Sequence, residues 1–175
     1  MKQVTNILEV PLGNSETIRA GGDTTLRIPK LHEGIGLVAL FGSGTEQQLT
    51  LWHLQPTNHR YTDGLTIESV NGHIRSQLLA GRTLHAAAFI RDSSNRQTKA
   101  TAEDWQHAID IGTGENRGPI TIIAPPYDVA SGMRHNLDVQ VGFVADSQSG
   151  FRYDVSLTHH FDLLPVIPYS WRAHI

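Results

Sequence analysis

The feature that most constrains this chain is a pair of alternating runs joined by turn formers. LDVQVGFVAD (137–146) passes through DSQSG (146–150) into FRYDVSLTH (151–159). Leu137, Val139, Val141 and Phe143 fall on one side of an extended backbone, as do Phe151, Tyr153, Val155 and Leu157. A period of two with a short polar break predicts a half-buried antiparallel β-hairpin.

The same reading predicts strands over TTLRIP (24–29), GIGLVALFG (34–42), QQLTLWHLQ (47–55), GLTIESV (64–70) and HIRSQLLA (73–80). It continues over RTLHAAAFIRD (82–92), WQHAIDI (105–111) and PITIIAP (119–125). LVALF and HAAAFI are apolar on both faces, as central strands are. In TAEDWQHA, Thr101 and Asp104 have capping-box spacing while Trp105, His107, Ile109 and Ile111 alternate. The expectation there is a helical turn leading into a strand. GSGT, TDG, NG, DSSN and GTGENRG supply the breaks. The predicted fold is all-β: an antiparallel β-sandwich or jelly-roll-like barrel of roughly eight to ten strands, with at most one short helix and no βαβ organisation. One domain over 1–175 is expected, with an N-terminal arm (1–22) and an extended C-terminal strap (162–175).

That strap follows THHF and carries Leu163 and Leu164 before Pro165, Val166 and Ile167 between Pro165 and Pro168, and Tyr169 and Trp171 beyond. The prolines forbid a helix or a central strand. Apolar side chains on such a segment need a surface to cover, so these six residues form the candidate subunit interface. Charged residues are only 18% of the chain and the net charge is −3, which leaves a surface poorly protected against self-association. No basic run is present, which argues against nucleic acid as the ligand. There is no cysteine, so thiolate nucleophiles and sulfur-ligated metals are excluded. No basic-then-apolar leader and no apolar run of membrane length occurs, so a cytoplasmic chain without a membrane span is expected.

Ten histidines are the one abundant reactive type. His53 and His59 lie six apart around a proline, a spacing that can face two imidazoles across a turn. His159 and His160 are consecutive and point to opposite faces of a strand. SGMRHN (131–136) holds a G-x-x-H spacing that resembles a fragment of the second cupin motif, although the paired histidines of the first motif have no counterpart. There is no nucleophile elbow, no phosphate loop leading into a helix and no H-E-x-x-H. No catalytic residue, cofactor or metal ligand is therefore assigned.

Rings beside polar groups suggest a sugar platform: Trp52, His53, Asn58, His59, Arg60 and Tyr61 form the candidate ligand surface. Three functions remain. The leading one is a self-associating structural or interaction protein of coat, decoration or assembly type, without catalysis. The alternatives are a carbohydrate-binding β-sandwich and a metal-dependent, cupin-like β-barrel enzyme.

Overall fold

The computed structural model describes residues 6–31, 34–42, 46–55, 65–92, 96–113, 120–123, 135–146, 150–161 and 167–173. In chain order the elements are β1 (Asn6–Glu9), β2 (Ser15–Arg19), β3 (Thr24–Leu31), β4 (Ile35–Phe41), β5 (Gln48–Leu54), α1 (Ile67–Leu79), β6 (Leu84–Ile90), α2 (Arg96–Thr113), β7 (Ile120–Ile123), β8 (His135–Asp146), β9 (Gly150–Phe161) and β10 (Ile167–Ala173). They build two five-stranded mixed sheets, ordered β1-β3-β8-β9-β10 and β2-β5-β4-β6-β7. The chain is mostly β, as the alternation predicts.

The expected hairpin is present. β8 and β9 pair antiparallel from His135 opposite Phe161 to Asp146 opposite Gly150. β4 lies between β5 and β6, and all seven of its residues are buried. Two apolar clusters explain that burial. One unites Leu26 and Ile28 of β3 and Leu137, Val139 and Val141 of β8 with Val38, Leu40, Leu49, Leu51 and Ile90 of the second sheet. The other sets Leu37, Ala39, Phe41, Trp52 and Phe89 against Val70 and Ile74 of α1 and Ala102, Trp105 and Ile109 of α2. The β2-β5-β4-β6-β7 sheet is thus a middle layer, with the first sheet on one face and both helices on the other.

The helices correct the all-β expectation and its limit of one short helix. They span 13 and 18 residues. GLTIESV and HIRSQLLA are one helix, because Val70, Ile74 and Leu78 recur every fourth residue and form one stripe. Thr66 caps it: its hydroxyl accepts from the Ser69 amide, and the Ser69 hydroxyl accepts from the Thr66 amide. In WQHAIDI, Trp105 and Ile109 fit both periods. His107 separates them, since a strand would place it beside Trp105, yet it is exposed while Thr98, Thr101, Ala102, Trp105 and Ile109 are buried. That spacing belongs to a helix, and it starts at Arg96, upstream of the expected Thr101 cap.

The absence of βαβ organisation is corrected as well. β6 and β7 are parallel neighbours connected through α2. β5 and β6 are also parallel to each other, because β4 pairs antiparallel with both, and α1 connects them. Both crossovers step the same way across the sheet with their helices on one face, so they share one hand. The N-terminal arm is corrected to two strands in different sheets: β1 runs parallel to β3, and β2 antiparallel to β5. Within the strap, Ile167–Ala173 form edge strand β10, antiparallel to β9, with Pro168 opposite Thr158. A sheet edge is where a proline without an amide proton is tolerated.

Candidate interaction edge and its flanking cavity

β1 ends its sheet, and among the described residues nothing pairs with its outer side. All four of its residues are exposed, with Ile7 at 53% and Leu8 at 40%. Leu12 follows at 50%. An unpaired strand carrying large apolar side chains is a template for another strand. Glu9 is registered beside Arg27, whose guanidinium continues to Asp138 on β8, so β1 is tied into its sheet through side chains as well as backbone.

From β1 the chain crosses to β2 in the second sheet, and His53 holds the crossing. Its backbone amide donates to Asn14 O at 3.0 Å, and its carbonyl accepts from Gly13 N at 2.8 Å. Its Nδ1 lies 3.0 Å from Val10 O, and since a carbonyl only accepts, Nδ1 carries the proton. Nε2 keeps its lone pair and packs over Gly34, where an added Cβ would lie 2.9 Å from both Nε2 and Leu54 O. Only glycine fits there. Val10 donates to Arg27 O at 2.8 Å, which closes the corner.

A cavity of about 240 Å³ opens beside this corner, lined by Glu9, Val10, Pro11, Ile28, Pro29, Lys30 and His53. Beside it the β3–β8 register shifts between Ile28 and Leu31. Pro29 sits in that irregularity, where its missing donor breaks no regular ladder.

Of the expected ligand surface, Trp52 and His53 are buried, at 1% and 8% exposure. Trp52 is corrected from surface ring to core ring: it faces the helices and meets His73 edge-on at 5.3 Å. Its neighbour His53 takes the opposite face of β5, toward Val10 and Ile28, so alternation separates the two. Trp105 is buried at 2%, also within the core. Asn58, His59, Arg60 and Tyr61 lie outside the described residues, as do Leu163, Leu164 and Val166 of the expected interface. Ile167, Tyr169 and Trp171 stand in β10 opposite His159, Leu157 and Val155. In the resemblance to the cupin fragment, only His135 and Asn136 are described, and His135 opens β8. Sequence reasoning missed Ile7, Leu8 and Leu12. The available signal was NILEVPLGN, an apolar run stopped by a Pro-Leu-Gly-Asn turn. No group of three or more His, Asp or Glu side chains able to hold a metal occurs among the described residues. Among those residues no helix is long and apolar enough to cross a membrane.

Burial holds both His53 and His73 below the ordinary imidazole value of 6.5; at His53 the bond to Val10 O opposes this in part. The unfolded chain therefore binds more protons than the folded one as pH falls below 6.5, and stability falls with it. We expect a urea midpoint that is flat from pH 8 to 7 and lower at pH 5. His73, whose buried Nε2 has no hydrogen-bond partner, contributes part of that drop. His73→Met should flatten the profile. A variant with the wild-type pH slope would remove His73 from the effect.

No protein-family model matches the chain, and no curated protein does so.

Proposed function

We propose that this chain is a self-associating interaction protein, a subunit of coat, decoration or assembly type, in which β1 of one copy pairs with β1 of a second. The observation carrying this reading is the unpaired, fully exposed β1 strand with Ile7, Leu8 and Leu12 on it and beside it. Two β1 strands related by a two-fold axis pair antiparallel and bury those residues together, a self-complementary contact that closes. The surface charge is low enough not to oppose it. In this reading the two-sheet part of the fold is a β-sandwich whose helices cover one outer face. The subunit is soluble and assembles in the cytoplasm. Strand β10, at the opposite edge of the same sheet, offers the second edge by which dimers extend.

Size-exclusion chromatography with light scattering tests the proposal. Wild type should elute as a dimer or larger, and Ile7→Lys combined with Leu12→Asp should elute as a monomer with an unchanged circular-dichroism spectrum. A wild-type protein that stays monomeric at tens of micromolar overturns it.

A further inference from the structure

At the end of the middle sheet opposite His53 lies a second cavity, of about 250 Å³, lined by Gly42, Glu46, Ala80, Gly81, Arg82, Thr83 and His85. Two turns frame it. β4 leaves through Gly42 at φ +82°, and α1 leaves through Gly81 at φ +84°. The Gly42 amide donates to Thr83 O at 3.0 Å and pins the turns together. A Cβ on Gly42 would come within 2.7 Å of Glu46 O, so the backbone itself forms the wall on that side.

Opposite charges line this cavity without meeting. Among the described residues no ion pair joins Glu46 to Arg82, unlike Arg27, which pairs with Glu9 and Asp138. Arg82 is held back: its Nη1 donates to Gln77 Oε1 at 2.9 Å, and Gln77 Nε2 donates to Gln48 Oε1 at 3.2 Å. The relay of amides fixes the guanidinium ahead of any ligand, and Glu46 belongs to the same lining. His85 forms part of the wall, and its buried Nε2 has no hydrogen-bond partner.

We propose that this cavity binds a small zwitterion of the α-amino acid class, its carboxylate on Arg82 and its ammonium on Glu46. A simple anion would meet Glu46 with like charge, and a simple cation would meet Arg82. A molecule carrying both charges a few bonds apart neutralises each pole. A volume of about 250 Å³ has room for a free amino acid. Arg82 supplies two parallel donors for a carboxylate, a geometry that lysine would not offer.

The test uses the full chain and four probes: L-alanine, L-glutamine, acetate and ethylamine, titrated with ¹⁵N–¹H correlation spectra. The two amino acids should bind saturably and shift the amides of Gly42, Gly81 and Thr83. Acetate and ethylamine should bind about tenfold or more weakly, a factor that a single lost charge contact accounts for. Arg82→Gln and Glu46→Gln should each weaken amino-acid binding by about tenfold or more. Glu46 is exposed, so its variant keeps the test valid should Arg82→Gln destabilise the fold. No saturable shifts with either amino acid overturns the proposal. So does acetate or ethylamine binding as tightly as L-alanine, or a Glu46→Gln variant that binds like wild type.

Discussion

Trp52→Ala should cost about 3–5 kcal/mol, the range for emptying a large aromatic site in a close-packed core. Trp52 is 1% exposed, registered between Ser15 of β2 and Leu37 of β4, and its ring meets the His73 ring at a right angle. That contact ties β5 to α1, so the loss extends beyond one side chain to the docking of the helix layer. With a urea dependence of about 2 kcal/mol per molar, the midpoint should fall by roughly 2 M. Trp52→Phe, which keeps a ring and much of the volume, should fall by less than half as much. The experiment also separates two roles of this residue. A binding-surface tryptophan would leave the midpoint where it is, and that result would sink the core assignment.

Trp52 illustrates how much of the molecule was legible in its residues. Alternation placed it on β5 and gave β3, β4, β6, β8 and β9 close to their observed bounds, and β3, β4, β6 and β8 each bury apolar side chains in the two clusters. What alternation left open was the second face. A residue that points away from the sheet-to-sheet core looks solvent-directed unless something covers it, and the covering layer was the part misread. In α1, Ile74 and Leu78 can be counted in steps of two or of four. Asn71 and Gly72 are poor helix formers that lower any propensity sum. Tertiary burial against Phe41 and Trp52 decides the matter, and it acts through residues distant in sequence. The same reason hid β1 and β2. Strands of four and five residues at sheet edges bury little, so their sequences carry little pattern. The interaction edge is therefore the least legible segment of the described chain, since exposure is what makes it a candidate and what removes its periodicity.

Arg27→Met is the second large effect, and its size follows from which partner is left behind. The Arg27 guanidinium holds Asp138 through Nε at 3.0 and 3.2 Å and Nη2 at 2.7 Å. The carboxylate, mainly through that hydrogen bond, raises the arginine's already high pKa, so the cation is permanent. The Asp138 side chain is 5% exposed and that of Arg27 is 30%. Removing the arginine takes the guanidinium from a nearly buried carboxylate, whereas removing the carboxylate leaves a guanidinium that can turn to water and toward Glu9, 3.8 Å away. Breaking a fully buried pair costs about 3–5 kcal/mol. With water reaching Arg27, about 2–3 kcal/mol is expected for Arg27→Met and about 1 kcal/mol for Asp138→Asn. Equal losses for both variants at pH 7 would show that the guanidinium lost from beside Asp138 is not the cause. Arg27 also anchors Glu9 at the end of β1, so its loss should loosen the strand through which copies of the chain are proposed to meet. In light scattering, Arg27→Met should shift the monomer–dimer balance toward monomer at a temperature where the fold is still intact.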